Sequence, residues 1–243
     1  MCPSRETLLL RWTGIAGLLA ALCWTIGDVL IVGHVADHAR FPLLFQTYVD
    51  RIDVRMAERL VDVPTSRLIA GALFAVFSVP LYLVGCWHLW RGLRGGRRRW
   101  TVPAIALLFT GFALSPLPHA AFYFVGAAYQ AVLAAPVAAQ PQLLALAGEF
   151  HRVLVTVYYP AVGCLALGLL VFSVAIARGG CAYPRWFALT ANPVVLGLLL
   201  AAMQALAGKP LSSWLEAAGI NVVWLLVFAQ SLALAWRGGE STA

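Results

Sequence analysis

Charge is scarce in this sequence. Aspartate, glutamate, lysine and arginine make up 11% of its 243 residues, against about 25% in soluble domains, too few to clothe a globular core in water-facing groups. Lysine is almost missing: Lys209 stands alone in a connecting stretch, which excludes a retinal-type pigment held by a lysine inside a helix. Long polar or basic tracts are lacking as well, and this excludes the disordered and nucleic-acid-binding classes. The cysteines, Cys2, Cys23, Cys86, Cys164 and Cys181, form no CxxC pair. A disulfide relay or zinc ribbon is therefore excluded, and the thiols read as small apolar packing groups.

What fills the chain instead is apolar, at 62% of residues with a mean hydropathy of +0.84. A bilayer core of about 30 Å takes roughly 20 apolar residues as helix. Six stretches supply them, approximately 8–35, 65–90, 101–135, 149–177, 183–207 and 214–236. They predict an all-α polytopic membrane protein, one domain built as a bundle of six transmembrane helices. The third stretch holds Ser115, Pro116, Leu117 and Pro118, where missing N–H donors force a bend. It reads as one tilted, kinked helix, with a re-entrant hairpin as the alternative. The first stretch follows Arg5 and Arg11 as a signal peptide would, but no small-x-small cleavage motif comes after it, so the helix is expected to stay attached. Small residues four apart, Gly17 with Ala21 and Gly71 with Ala75, predict close helix contacts.

Arginines near helix ends are retained on the cytoplasmic side. The cluster Arg91, Arg94, Arg97, Arg98 and Arg99 therefore sets the second connection inside, and alternation brings Arg5, Arg11, Arg178, Arg185 and Arg237 to the same side. The expectation is a multi-pass protein of the cell (inner) membrane with both termini cytoplasmic. The first outer connection opposes this with Arg40, Arg51, Arg55, Arg59 and Arg67, interleaved with Asp37, Asp50, Asp53, Glu58 and Asp62. Within it Leu44, Phe45, Tyr48, Ile52, Met56 and Leu60 recur at helical spacing, which predicts a short amphipathic helix lying on the membrane surface. Such a helix either covers an outer cavity or simply rests at the interface.

Ionisable groups inside a span are costly and mark candidate sites, with structural polar pairs as the alternative. Asp28 sits late in the first span among apolar neighbours, and His119 follows the proline bend of the third, with Ser115 and Tyr123 four residues to either side. Glu149 and His151 open the fourth span, with Tyr158 and Tyr159 below them. Asn192 precedes Pro193 within the fifth, and Asn221 and Trp224 share a face of the sixth. Alternating helix direction puts Asp28, Tyr123, Glu149, His151 and Asn221 in the outer half of the bilayer. This predicts a polar and aromatic pocket with Asp28, His119 and Glu149 as proton-handling groups and Tyr123, His151, Tyr158, Tyr159, Asn192, Asn221 and Trp224 as substrate-binding ones. Glu149 also stands three residues from Arg152, where a surface ion pair is the competing reading. His34 and His38, four apart, share a helix face with Asp37 adjacent to it, as metal ligands would, but with no strong second ligand cluster beyond Glu149 and His151 they read as interfacial histidines, and no metal or cofactor is predicted.

In order and spacing, Gly27-Asp28, Pro118-His119-Ala120, Tyr183-Pro184-Arg185-Trp186 and Gly219-Ile220-Asn221 resemble a bacterial family of six-helix integral membrane proteins of unknown function. The resemblance implies the helix count and picks out Asp28, His119, Arg185 and Asn221, and it implies no activity or cofactor. A carboxylate and a histidine in a dry pocket fit an acid–base enzyme acting on a lipid or isoprenoid, by cyclisation or isomerisation. The same groups fit a small-solute or proton-linked transporter, and a non-catalytic binding subunit is the third reading. Membrane lipid and a hydrophobic small molecule are the expected partners, and nucleic acid is not.

Overall fold

The computed structural model describes residues 4–238, and among them all regular structure is helical. Helix α1 spans Arg5–Val32, opened by Ser4, whose hydroxyl accepts from the Thr7 N–H at 3.2 Å. Then follow α2 (Val54–Leu60), α3 (Thr65–Gly92), α4 (Arg98–Leu114), α5 (Pro116–Ala134), α6 (Gln140–Ala177), α7 (Arg185–Thr190), α8 (Pro193–Leu206) and α9 (Leu211–Gly238). Among the described residues five helical stretches are long and apolar enough to cross a membrane: Arg5–Val32, Thr65–Gly92, Arg98–Ala134, Val137–Ala177 and Leu211–Arg237.

The third of these is α4 and α5 in sequence, bent at Ser115. Pro116 and Pro118 leave the carbonyls of Phe112 and Leu114 without their helical donors, and the Ser115 hydroxyl turns back to the Gly111 carbonyl at 2.7 Å. Both arms run along α6. A Cβ on Gly168 would lie 2.7 Å from the Leu108 side chain, and one on Gly111 would lie 2.6 Å from Leu165. A re-entrant hairpin would reverse one arm; a single kinked helix does not.

The fifth expected span departs from expectation. It is split into α7 of 6 residues and α8 of 14, because Pro193 cannot continue the donor ladder and the Asn192 side chain caps the new helix, accepting from the Val194 N–H at 2.9 Å. A helix of 14 residues rises about 21 Å, short of the roughly 30 Å hydrocarbon core. The expected surface helix departs too. The stretch after α1 is a chain of short turns, His38–Arg40, Leu43–Thr47 and Val49–Arg51, before the single two-turn α2. Its apolar side is buried in protein, with Leu44, Ala57 and Leu60 fully covered. Burial under this segment comes from α5 and α6, whose Val125, Tyr129 and Leu154 share its core.

Helix α1 packs face to face on α3. Gly27 and Gly71 bring the backbones together: a Cβ on Gly71 would stand 2.7 Å from the Gly27 carbonyl oxygen. One core gathers Trp24, Tyr82, Phe112, Phe172, Trp224 and Phe228, and a second gathers Ile31, Leu44, Leu60, Leu68, Val125 and Leu154. Asp28 on α1 falls at the seam between them.

The two ends of the bundle differ in charge chemistry. At one, arginines stack on tryptophans, Arg11 over Trp236 at 3.9 Å and Arg178 over Trp100 at 5.7 Å, and Arg91 pairs with Glu6. At the other, arginines are held by acids and helix carbonyls. Arg40 pairs with Asp62 at 2.8 Å, Arg59 with Glu216 at 2.7 Å, and Arg67 donates to the carbonyls of Leu30 and Val29, which closes the end of α1.

Candidate functional site

Three helices that are remote in sequence deliver the central polar set. His119 is the first residue after the bend able to reach back. Its backbone N–H donates to the Ser115 carbonyl at a long 3.4 Å, and its Nδ1 shares that oxygen at 2.7 Å. A carbonyl only accepts, so Nδ1 carries a hydrogen. Nε2 then faces Asp28 Oδ1 at 3.1 Å, and Asp28 Oδ2 accepts from Asn221 Nδ2 at 2.6 Å. Asn221 Oδ1 in turn accepts from the Tyr82 hydroxyl at 3.1 Å. With Nδ1–H committed, the contact between His119 and Asp28 contains one proton, resting on either Nε2 or Oδ1. Either way the pair is net neutral, so the proton can sit on ring or carboxyl without a net charge being buried, and passing it to a ligand leaves one negative charge shared by the pair.

The pair is sheltered, with the side chains of Asp28 and His119 13% and 11% exposed. Trp24 lies one helical turn before Asp28 and stands over the His119 ring at 4.4 Å while its Nε1 donates to the Ala75 carbonyl at 2.9 Å. Tyr82 is stacked on Phe112 at 4.1 Å and met edge-on by Trp24 at 4.8 Å. These rings form a rigid floor that holds the polar atoms in register.

Above the floor is a cavity of about 650 Å³, the size of an ordinary ligand pocket. Asp28, His119 and Asn221 line it, together with His151, Tyr158 and Tyr159 from α6. Of the residues expected at a site from sequence, those six therefore meet in one place. The other four lie elsewhere. Glu149 is exposed and pairs with Arg152 at 3.2 Å, and Tyr123 rests edge-on against Phe124. Asn192 caps α8, and Trp224 is buried against Phe112 within the core. His34 and His38 turn to separate acids, Asp62 at 3.3 Å and Glu58 at 2.9 Å. Cys2 lies outside the described residues, and Cys23, Cys86, Cys164 and Cys181 are free thiols.

Sequence reasoning left out several lining groups. Trp24 was accessible in principle, since a residue four before Asp28 shares its helix face. Tyr82, which does not line the cavity but holds Asn221 from behind, gives no such signal. Asp53, Arg55, Met56 and Arg59 also line the cavity, which makes the first connection its cover. Arg59 locks that cover, donating to the Val32 carbonyl at 3.2 Å as well as to Glu216. On the side, the backbones of α6 and α9 are not closely packed on each other, and between them Tyr159, 69% exposed, and Ile220 carry the cavity to the surface of the bundle.

Fold and site together define an all-α protein with helices of membrane-spanning length and apolarity around a cavity with a polar floor. The chain belongs to a family of unknown function, DUF6796, whose model matches residues 7–237. No curated protein and no solved structure matches it.

Proposed function

We propose that this is a six-crossing protein of the cell (inner) membrane, with both termini cytoplasmic, that admits a hydrophobic molecule from the bilayer and exchanges a proton with it at Asp28 and His119. The reaction class that fits is acid–base chemistry on a lipid or isoprenoid, such as an isomerisation or cyclisation. The observation that carries the reading is the net-neutral Asp28–His119 pair, held by Asn221 and facing a cavity with mainly apolar walls. The side opening at Tyr159 supports entry from lipid. Aromatic rings around the pair suit a carbon chain, and their faces suit a developing cation.

Six crossings are supported by where the ends of α7 and α8 lie. Ala182, just before α7, donates to the Gly92 carbonyl at the arginine-rich end, while Gln204 and Lys209 lie beside Val35 and Arg59 at the other. The two short helices together link one end to the other, as a sixth crossing would. Orientation is supported by the cluster Arg91, Arg94, Arg97, Arg98 and Arg99 around the short connection between α3 and α4, which is retained on the cytoplasmic side.

A proton-linked transporter is the second reading, favoured by one observation. A further buried chain runs near the arginine-rich end, where His88 Nδ1 donates to the Leu10 carbonyl at 2.9 Å, Nε2 meets Ser231 Oγ at 2.8 Å, and that oxygen meets the Tyr183 hydroxyl at 2.7 Å. Phe228, packed where Gly17 and Gly85 leave room, separates it from Tyr82. Mass spectrometry of lipid extracts from cells expressing the wild type or Asp28→Asn tests the choice. A product that depends on Asp28 supports the enzyme; unchanged lipids with altered solute uptake support the transporter.

A further inference from the structure

We infer that the cavity takes a long-chain anionic amphiphile, with its phosphate or carboxylate head at Arg55 in the mouth and its chain descending past Tyr158 toward Leu165. The inference rests on the cavity being a ligand site, as proposed above, and adds the chemical class of the ligand.

The charges at the mouth are Asp53, Arg55, Arg59, His151 and Glu216. Arg59 is spent on Glu216 and on the Val32 carbonyl. Asp53 accepts from the Met56 N–H at 2.8 Å with one carboxylate oxygen and faces His151 at 3.8 Å with the other. Arg55 alone makes no ion pair or hydrogen bond among the described residues, although it lines the cavity. A guanidinium presents parallel N–H groups that match a carboxylate or phosphate in two-pronged fashion, and it sheds water more easily than an ammonium. A head group with a formal negative charge is what this position recognises.

The interior sets the rest of the ligand. From His151 to Leu165 the α6 residues lining the cavity span roughly 20 Å of helix rise. Below the mouth, most of the wall is carbon, from Leu154, Val155, Val162, Phe122 and Pro118. The polar atoms of Asp28, His119 and Asn221 satisfy one another and sum to zero charge. An anion pushed down to them would be buried without a compensating positive charge. The head therefore stays at the mouth, and the part of the ligand beside the Asp28–His119 pair is a segment of its chain. Entry between α6 and α9 lets such a molecule leave the bilayer tail and head together, its head remaining at interface depth.

Binding to the purified full-length protein in a neutral maltoside detergent tests this, using tryptophan fluorescence with hexadecyl phosphate, palmitate, hexadecanol and hexadecyltrimethylammonium. The expected result is that hexadecyl phosphate or palmitate binds at least about tenfold more tightly than hexadecanol, a difference of about 1.4 kcal/mol. Which of the two is tighter names the head. Arg55→Gln should erase the difference while hexadecanol binding persists, which also reports an intact cavity. Asp28→Asn should keep the preference, because the head does not reach that residue. Equal binding of anion and alcohol, tighter binding of the cation, or an unchanged preference in Arg55→Gln overturns the inference and leaves the proton-exchange reading standing. Failure of all four to bind removes both.

Discussion

Asn221 Nδ2 lies 2.6 Å from Asp28 Oδ2, joining residues 193 apart in the chain. Across the same carboxylate, His119 holds the other oxygen. An amide that donates on one side and a ring nitrogen on the other fix the carboxyl plane, so the group points into the cavity instead of sampling rotamers. Catalysis or proton relay by this carboxyl depends on that fixed direction.

The arrangement predicts the behaviour of Asp28→Asn. An asparagine there keeps both contacts, its carbonyl oxygen accepting from Asn221 and its NH2 donating to His119 Nε2, a bare acceptor once the shared proton is gone and the neutral ring keeps its hydrogen on Nδ1. Thermal unfolding in detergent should shift by only a few degrees while activity is abolished. Asp28→Leu strands both partners and should cost about 3–5 kcal/mol. If Asp28→Asn loses many degrees, or retains full activity, the carboxyl is a structural group.

Tyr82 should matter only through Asn221. Tyr82→Phe removes the donor to Asn221 Oδ1 and leaves a buried acceptor unmatched, at about 1 kcal/mol. In an Asn221→Ala background the same change should cost much less, since the acceptor is already gone. Equal costs in both backgrounds, measured by denaturation, would show that the hydroxyl acts elsewhere.

Gly71 sets how closely α3 approaches the backbone beside Asp28. Gly71→Ala places a Cβ 2.6 Å from Ile31 Cγ1 and 2.7 Å from the Gly27 carbonyl oxygen. Relief requires α1 to move away from α3, so a loss of about 1–3 kcal/mol is expected, with activity falling further than stability alone explains because Gly27 carries Asp28 with it. An activity loss no larger than the loss of folded protein argues against this coupling.

The single lysine offers a topology test without any mutation. Lys209 is exposed beside Ser212 and Glu216, at the end opposite the arginine–tryptophan stacks. A membrane-impermeant amine reagent applied to intact cells should label Lys209 and spare the N-terminal amine, as peptide mass spectrometry would report. The reverse pattern inverts the proposed orientation.

Much of this was legible in order along the chain. Apolar runs interrupted by Pro116 and Pro118 announce a kinked helix, because a missing donor acts on its own turn whatever surrounds it. Asp28, His119 and Asn221 are conspicuous for a similar reason: a polar group in an apolar run must find a partner. Which partner it finds is not a local matter. Glu149 and His151 differ by two positions, yet helix rotation sends one to a surface pair with Arg152 and the other to the cavity. Asn192 was expected to line a site and caps a helix instead, because Pro193 had already broken the ladder that would have carried it inward. The segment after α1 has a helix's periodicity but is regular only over α2, since the short turns before it bury Leu44 and Phe45 in the core shared with α5 and α6. Tyr82 and Arg55 acquire meaning only once α3, α9 and the cover segment meet. Sequence alone determined which groups could not remain unpartnered in an apolar setting. The tertiary structure decided the pairings, because hydrogen bonds and ion pairs require contact distances that only helix packing supplies.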